Sequence, residues 1–351
     1  MIEQLYMSLP NDLGGSIAKS RFRNELMWGL WKIFDIYDTC DDFTIIFDYV
    51  CDIEIHCMNE LSFYQIKTRK SARPYTCTQL TGHKDGTNSI LGKVYLLKCA
   101  GTNELPIKVA IVSNVTFKAT KKEYTEVKSV DFSLLDINTQ ESICKKLKTE
   151  LSGEKQIDLK NVYFIRSQID LFEPKNSVIG KMVSFFKESR GIELIKPHAL
   201  YMSLFDTVED KACSEFDCMN YDEVIQQKGI TKKAFDFIIS THIEESNISV
   251  EKARMWIETH YEDDYPLKLK MISSLSSIVT GQLRDPELRK KKNEISSYVK
   301  NNLDLLPSSE IGIIDYLINR FEDAFVVGYD KLCLNALIIL VLKELEEKGN
   351  E

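Results

Sequence analysis

The sequence has little that would take it out of the cytoplasm. Its longest apolar stretch, Leu332 to Leu342, is interrupted by Asn335, whereas a bilayer-spanning helix needs roughly 20 apolar residues. Residues 1–30 lack the basic, apolar and small-residue order of a secretory signal. The nine scattered cysteines are therefore expected to be reduced thiols. These absences predict a soluble cytoplasmic protein that does not contact a membrane.

Short motifs of several enzyme classes are also absent. Neither Gly14-Gly15 nor the segment from Gly82 to Gly86 continues into Gly-Lys-Ser/Thr or into Gly-x-Gly-x-x-Gly, so the sequence has no phosphate-binding loop. It has no Gly-x-Ser-x-Gly elbow, and its five histidines form no His-Glu-x-x-His motif. The chain is therefore not expected to hydrolyse ATP, to use an activated serine or to hold zinc.

The charge of the chain is negative overall but positive in one region. Its 351 residues are 44% hydrophobic and 28% charged, which is ordinary for a globular protein of about two domains. The net charge of −8 argues against indiscriminate binding of polyanions. Residues 60–128, however, contain twelve Lys or Arg against five Asp or Glu. This local excess suits a phosphate-bearing substrate on one face; an ordinary solvated surface is the alternative.

The hydrophobic pattern of the first two-thirds of the chain mixes helices and strands. Residues 16–37 predict a helix because apolar residues recur at helical spacing. Segments rich in Ile, Val and aromatic residues follow and predict strands, one of them a β-branched run typical of burial on both faces. The predicted strands are residues 43–50, 52–57, 62–68, 107–113 and 161–169.

The last third of the chain has only helical patterns. From residue 177 onward helical spacing dominates, and Ser249, Asp285 and Ser308 are candidate N-caps. The final helix is apolar on nearly every side, so it must be buried, either in its own bundle or against a partner. We therefore predict two domains, an α/β domain with a helical extension over 1–245 and an all-helical domain over 246–351.

One short segment combines groups that hydrolyse phosphodiesters. The order Asp52-Ile-Glu-Ile-His, a turn and Phe63-Tyr-Gln65-Ile-Lys67 predicts a hairpin that brings Asp52 close to the second strand. Because side chains alternate along a strand, Gln65 and Lys67 lie on the same face. Carboxylate and amide oxygens suit Mg²⁺, and a nearby lysine can activate water and stabilise charge on the phosphate. An edge strand without function is the alternative.

This arrangement resembles the PD-(D/E)xK nuclease core in its D…QxK variant, in which glutamine replaces the second acid. Glu25 on the first helix matches an acid that this core places ahead of the hairpin. Over residues 10–240, an ordered series of short motifs is similar to the nuclease domain of CD-NTase-associated antiphage effectors. The motifs are Gly14-Gly15, Phe22-x-Asn-Glu25, Asp48 with Asp52-Ile, Phe63-Tyr-Gln65-Ile-Lys67-Thr68, Ser89-Ile-Leu-Gly-Lys93, Val112-Ser113-Asn114, Ile179-Gly180-Lys181 and Lys228-Gly-Ile230-Thr231.

The resemblance implies a restriction-endonuclease-like α/β fold, in which helices flank a mixed sheet, here followed by an all-helical C-terminal region. It implies that Asp52, Gln65 and Lys67 are catalytic and that Asp52 and Gln65 bind Mg²⁺ or Mn²⁺. Asp48 and Glu25 would be further acids of the same site. The family usually has glutamine where Glu25 stands, so Glu25 adds a charge near the metal. Solvation on a helix or strand is the alternative for Glu25 and Asp48.

The resemblance also implies partners. In CD-NTase-associated effectors the nuclease precedes a ligand-sensing SAVED domain, but residues 246–351 are too few and too helical to form one. The same nuclease type occurs in Lamassu systems beside an SMC-like ATPase, and elsewhere beside HerA-like ATPases. A partner ATPase is therefore expected to dock on 246–351, with the SMC-like type favoured over the HerA type. Because one site cuts one strand, double-strand breaks also call for self-association to a dimer or tetramer.

The predicted function is metal-dependent cleavage of double-stranded DNA in bacterial antiphage defence. Four basic residues just beyond the catalytic strand are expected to line the DNA groove through phosphate contacts: Arg69, Lys70, Arg73 and Lys84. Two alternatives stay open. One is a catalytically silent nuclease-fold scaffold, and the other is cleavage of RNA, because a metal and a lysine act on phosphate without reading the sugar.

Overall fold

A computed structural model describes residues 2–8, 13–83, 87–102, 104–151, 156–170 and 173–348. The chain packs into two compact units. The first unit is Met1–Lys181 with Leu204–Lys232, and the second unit is Met182–Ser203 with Lys233–Glu351. The predicted domains, 1–245 and 246–351, stay a prediction, because compactness does not show which part folds alone.

The helices and strands follow the hydrophobic pattern closely. The strands of the described residues are β1 (Phe43–Phe47), β2 (Ile53–Cys57), β3 (Glu60–Ile66), β4 (Tyr75–Thr76), β5 (Ile107–Ser113), β6 (Phe117–Lys118), β7 (Glu123–Tyr124), β8 (Ser129–Asp131), β9 (Val162–Arg166) and β10 (Gly229–Thr231). The helices are α1 (Ile2–Met7), α2 (Gly14–Ile36), α3 (Cys77–Thr81), α4 (Ile90–Lys98), α5 (Ile137–Glu150), α6 (Pro174–Ser184), α7 (Pro197–Ala212), α8 (Tyr221–Lys228), α9 (Lys232–Ser246), α10 (Ile248–His260), α11 (Tyr265–Arg284), α12 (Pro286–Asn301), α13 (Glu310–Phe321) and α14 (Lys331–Lys348). The five predicted strands are confirmed, with ends that differ by at most three residues.

The first unit contains a seven-stranded mixed sheet in the order β10-β1-β2-β3-β5-β9-β8. Strands β3, β5 and β9 are parallel, with Phe63 opposite Val109 and Val109 opposite Val162. Strand β2 is antiparallel to β3, with Ile53 opposite Tyr64, so β2 begins at the edge where β3 ends. The turn before β2 and the carboxyl ends of β3, β5 and β9 therefore meet at one edge, which we call the carboxyl edge.

Helix α2 covers one face of this sheet. Met27, Leu30 and Ile33 are buried, and the Trp28 ring lies 5.0 Å from the Tyr64 ring of β3. A Cβ atom at Gly29 would lie 2.5 Å from the Phe47 ring, so only glycine allows α2 to approach β1 this closely. Each fully buried large apolar side chain contributes roughly 1.5–3 kcal/mol. This packing fixes the height of α2, and hence of Glu25, above the sheet.

Helices α3, α4 and α5 cover the other face. Their buried Leu80, Leu91, Val94, Ile143 and Leu147 form one apolar cluster with side chains of β5 and β9. Ser89 caps α4 by accepting from the Gly92 amide, and Asp136 caps α5. Both faces of the central strands are thus buried, which explains their continuous β-branched sequences. The predicted fold class, a mixed sheet flanked by helices, is confirmed.

The C-terminal helices pack around α14 in the second unit. Leu334, Ala336, Leu337 and Ile338 of α14 are fully buried, and the helix packs against α10, α11, α12 and α13. The apolar last helix is therefore buried in its own bundle, which is one of the two predicted possibilities. None of the helices within the described ranges has both the length and the apolar character to cross a membrane.

Several local predictions were wrong. Asp285 caps α12 as predicted, but Asn247 and Ser309 cap α10 and α13 in place of Ser249 and Ser308. In each case the neighbouring side chain is the one that reaches the free amides of the first turn. Strand β10 was also missed, because a strand of three residues has too few positions to show alternation. It exists because β1 supplies its hydrogen-bonding partner, with Ile45 opposite Ile230.

The expectation that all nine cysteines are reduced is also wrong. A disulfide joins Cys40 to Cys57, and their Cα atoms lie 6.3 Å apart. Cys40 follows the end of α2, and Cys57 is the last residue of β2. The pairing follows from the packing of α2 on the sheet, which brings together two cysteines that the sequence shows only as scattered residues.

Candidate active site

A tight turn at the carboxyl edge carries two of the predicted acids. The turn is Asp48–Asp52, between β1 and β2. The Asp48 amide donates to the Asp52 carbonyl at 3.0 Å, and the Tyr49 amide donates to the Cys51 carbonyl at 3.3 Å. Asp48 has a φ of 48°, a left-handed conformation that aspartate tolerates better than most residues. The turn therefore sets Asp48 and Asp52 next to each other at the end of the hairpin.

A buried carboxylate that sequence reasoning missed holds this turn. Glu54 is 2% exposed, and its Oε1 accepts hydrogen bonds from the Val50 amide at 2.6 Å and the Cys51 amide at 3.3 Å. Its Oε2 lies 3.4 Å from Nε2 of His56, whose Nδ1 lies 2.8 Å from the Tyr221 hydroxyl. A buried charge needs such partners. The one signal in the sequence that could have identified Glu54 is its position, an acid within a predicted strand two residues after Asp52.

Asp52 connects the turn to the strand that carries the predicted lysine. Its Oδ2 accepts a hydrogen bond from the Ile66 amide at 2.6 Å and lies 3.7 Å from Nζ of Lys67. The Lys67 ammonium also donates to the Ile66 carbonyl at 3.0 Å. Within the described ranges no group donates to the second carboxylate oxygen, Oδ1. Asp52 therefore keeps one oxygen available for a ligand while the other is fixed to β3.

The backbone beyond β3 is fixed by the end of β5. The Lys67 amide donates to the Val112 carbonyl at 2.8 Å, and the buried Ser113 hydroxyl donates to the Lys67 carbonyl at 2.7 Å. Asn114 bonds both the amide and the carbonyl of Arg69, each at 2.9 Å. These bonds extend the β3–β5 ladder past the last strand residue. The main chain that carries Lys67 and Arg69 is therefore rigid.

Gln65 of β3 lies opposite Ile111 of β5 and is half-buried. It is two residues before Lys67, so the alternation of the strand puts both side chains on one face. Its amide makes no hydrogen bond within the part of the chain that the structure describes. The amide oxygen is therefore free to act as a neutral oxygen ligand, and the role of Gln65 as a metal ligand stays a prediction.

The acids of the site are close enough to perturb one another. The pKa of Glu25 on α2 is raised from 4.5 to about 7, mainly by burial and also by the Asp52 and Asp48 charges, while Lys67 and Arg21 oppose the rise. Burial also raises the pKa of Asp48, and the Lys228 ammonium opposes this effect. Three carboxylates therefore share a partly desolvated space in which their full ionisation is unfavourable.

This donor set suits a hard cation better than zinc. It offers carboxylate oxygens and one amide oxygen, which are ligands that Mg²⁺ and Mn²⁺ accept. A divalent cation would also offset the repulsion from Asp52 and Asp48 that adds to burial in raising the pKa of Glu25. Across the described ranges, however, no three His, Cys, Asp or Glu side chains are grouped closely enough to hold a metal by themselves. Binding would therefore rely on Asp52, on the Gln65 amide and on substrate or water oxygens.

Of the predicted DNA-contacting residues, the three that the structure describes follow β3 directly and differ in their contacts. The Arg69 guanidinium stacks on the Tyr75 ring, 3.4 Å from its centroid, whereas Lys70 and Arg73 are exposed. Lys84 lies outside the described residues. Next to Asn114, at the ends of β5 and β9, is a cavity of about 490 Å³ lined partly by Lys128, Arg166 and Gln168. Polar groups, both basic and acidic, thus continue along the carboxyl edge from Asp52 and Lys67.

Comparison with known proteins supports one family. Residues 13–212 match the family model described as the Cap4 dsDNA endonuclease domain, which covers more than half of the chain. The chain is also 25% identical over 336 residues to the Lamassu protein LmuA of Bacillus cereus (strain VD014), and the alignment covers 90% of each protein. No solved structure matches the chain. The matched range includes the turn Asp48–Asp52 and all of β3.

Proposed function

Since the chain belongs to the Cap4 dsDNA endonuclease domain family, we propose that it cleaves double-stranded DNA with Mg²⁺ or Mn²⁺ at the site around Asp52. One observation carries this proposal: Asp52 is fixed to the β3 backbone through Oδ2 and lies 3.7 Å from the Lys67 ammonium. That pairing puts a metal-binding carboxylate and a cationic group at one point. Both are groups that hydrolysis of a phosphodiester needs.

Each residue of the proposed site has a distinct task. Asp52 and Gln65 bind the cation, which supplies Lewis-acid activation of the phosphate and of water. Lys67 orients the attacking water and offsets the negative charge that develops on the phosphate. Glu25 and Asp48 add carboxylate oxygens on the α2 side and hold water there. Gln65 is uncharged and stands where the motif has its second acid. Glu25 supplies an acid in its place.

The neighbouring basic residues hold the DNA backbone. Arg69, Lys70, Arg73 and Lys84 contact phosphates, which gives affinity without sequence specificity. The fixed backbone between Lys67 and Arg69 supports this role, because it holds the Arg69 stack on Tyr75 beside the catalytic strand. The acidic net charge of −8 limits binding elsewhere on the surface.

The biological setting that we propose is antiphage defence. The similarity to the Lamassu protein LmuA along 90% of the chain supports it. In this setting the protein is the nuclease effector of a complex with a partner ATPase, SMC-like in preference to HerA-like, that docks on residues 246–351. The partner restrains the nuclease, and release allows it to self-associate as a dimer or tetramer that cuts both strands.

Plasmid cleavage tests the enzymatic part of this proposal. We expect the purified protein to nick and linearise supercoiled DNA with Mg²⁺ and not with EDTA. Asp52→Ala should abolish cleavage and Lys67→Ala should slow it, whereas Asp42→Ala, at the opposite end of β1, should cleave like the wild type. If Asp52→Ala and Lys67→Ala both cleave DNA at the wild-type rate, the site is rejected. A wild type that binds DNA but never cuts it would support a silent scaffold, and preferential cleavage of RNA would reject the DNA substrate.

A further inference from the structure

The tip of the turn Asp48–Asp52 carries two exposed apolar side chains beside the proposed catalytic residues. Tyr49 is 46% exposed and Val50 is 52% exposed. Single exposed apolar residues are common on protein surfaces and need no function. These two differ because they are adjacent to each other in a five-residue turn whose first and last residues are the acids Asp48 and Asp52.

The tip is rigid. The buried Glu54 carboxylate accepts from the Val50 and Cys51 amides, and the Asp48 amide donates to the Asp52 carbonyl at 3.0 Å. The Cys51 side chain is buried, which anchors the turn in the apolar cluster. Neither the ring nor the hydroxyl of Tyr49 has a partner within the described ranges. The turn therefore holds Tyr49 and Val50 in place at the surface. Binding a ligand there costs little further conformational entropy.

The position of the tip favours DNA as its ligand. The strand ends along the carboxyl edge follow the order β1, β2, β3, β5 and β9. The tip therefore lies on one side of Lys67, and the polar cavity beside Asn114 lies on the other. A duplex that lies along this edge with a phosphate at Lys67 passes the tip. Because the side chains of Tyr49 and Val50 carry no charge to pair with a phosphate, the groups that suit the tip are bases and sugars.

On the basis of the proposed function, we propose that Tyr49 and Val50 form a wedge that contacts the bases next to the cleaved phosphodiester. Tyr49 stacks on an exposed base face, and Val50 fills the space beside it, as apolar wedges do when they unstack a base step. The wedge distorts the duplex at the cut site and brings the phosphate towards Asp52 and Lys67. It adds affinity and positioning without sequence specificity.

Cleavage kinetics test the wedge with the full-length protein. Tyr49→Ala should raise the KM for duplex DNA about tenfold, in line with the loss of one base–aromatic stack, and should change kcat less than KM. Tyr49→Phe should behave like the wild type because it keeps the ring. Met58→Ala is a matched control, since Met58 is 82% exposed at the opposite end of β2, and it should leave KM unchanged.

Base unstacking gives an independent readout. In a Lys67→Ala background with Mg²⁺, a duplex with 2-aminopurine beside a mapped cut site should become more fluorescent on binding, and adding Tyr49→Ala should remove the increase. Equal KM and equal fluorescence with and without Tyr49→Ala would overturn the wedge. So would unchanged DNA binding together with loss of self-association, because the tip would then be a protein contact. A wild type that neither binds nor cuts DNA would instead reject the proposed function itself.

Discussion

Glu25 makes the stability of the metal-free protein depend on pH in an unusual direction. Its pKa is about 7 in the folded protein, mainly because of burial, and 4.5 is the ordinary value. Below pH 4.5 the side chain is protonated in both the folded and unfolded states. Between these two values the folded state binds the extra proton, so the free energy of unfolding falls as the pH rises. Above pH 7 the free energy of unfolding has lost the whole contribution of this group.

The size of this loss follows from the pKa shift. A shift from 4.5 to about 7 corresponds to about 3 kcal/mol at 1.36 kcal/mol per pKa unit. The side chain is only partly buried, and solvent screening reduces the effect to roughly 1–2 kcal/mol. Glu25→Gln removes the ionisable group with little change in shape. The variant should therefore match the wild type near pH 4.5 and exceed its free energy of unfolding by roughly 1–2 kcal/mol at pH 8.

Urea denaturation in EDTA at both pH values measures this difference, and Trp28 and Trp31 on α2 report the unfolding by fluorescence. Glu141→Gln, on the exposed side of α5, is the matched control and should show no pH-dependent gap. Saturating Mg²⁺ should stabilise the wild type more than Glu25→Gln, because the cation neutralises the crowded acids. A gap of equal size at pH 4.5 and pH 8, or a variant that is less stable at pH 8, would refute the electrostatic account of Glu25.

Two further predictions concern the turn and the residues proposed to contact DNA. Glu54→Ala leaves the Val50 and Cys51 amides without their acceptor and should lower the free energy of unfolding by about 2–4 kcal/mol and slow cleavage. Glu54→Gln keeps an oxygen and should lose less on both measures, so equal losses would reject the role of Glu54 as the acceptor. Replacing Arg69, Lys70, Arg73 and Lys84 together by Ser should weaken binding to unrelated DNA sequences equally. The slope of log K against log salt should become shallower by about 0.9 for each phosphate that the variant no longer neutralises, and an unchanged slope would make these residues ordinary surface.

Long periodic segments were predictable from sequence because their pattern repeats often enough to be recognised. The helix over α2 and the β-branched run of β5 were located within two residues. Strand β10 has three residues and depends on β1 for its hydrogen bonds, so the information that forms it lies elsewhere in the chain. The Cys40–Cys57 disulfide was missed for a similar reason, since it depends on how α2 packs on the sheet.

The candidate site shows the same division between local and distant information. The closeness of Asp52 and Lys67 was predictable, because a hairpin and strand alternation bring them together. The support beneath them was not. Glu54 appears in the sequence as one more strand residue, and only the fold shows that its carboxylate holds the turn. The bonds between Asn114 and Arg69 join residues 45 apart, a pairing set by the parallel register of β3 and β5.

The central claim is that Asp52 binds the cation while Lys67 acts in the chemical step. The most direct test is the single-turnover rate of duplex cleavage measured over a range of Mg²⁺ concentrations. We expect Asp52→Asn to raise the Mg²⁺ concentration for half-maximal rate more than tenfold. Lys67→Ala should lower the maximal rate and leave that concentration unchanged, and Lys148→Ala on the exposed side of α5 should change neither. The same Mg²⁺ dependence for Asp52→Asn and the wild type, at equal maximal rates, would contradict the claim.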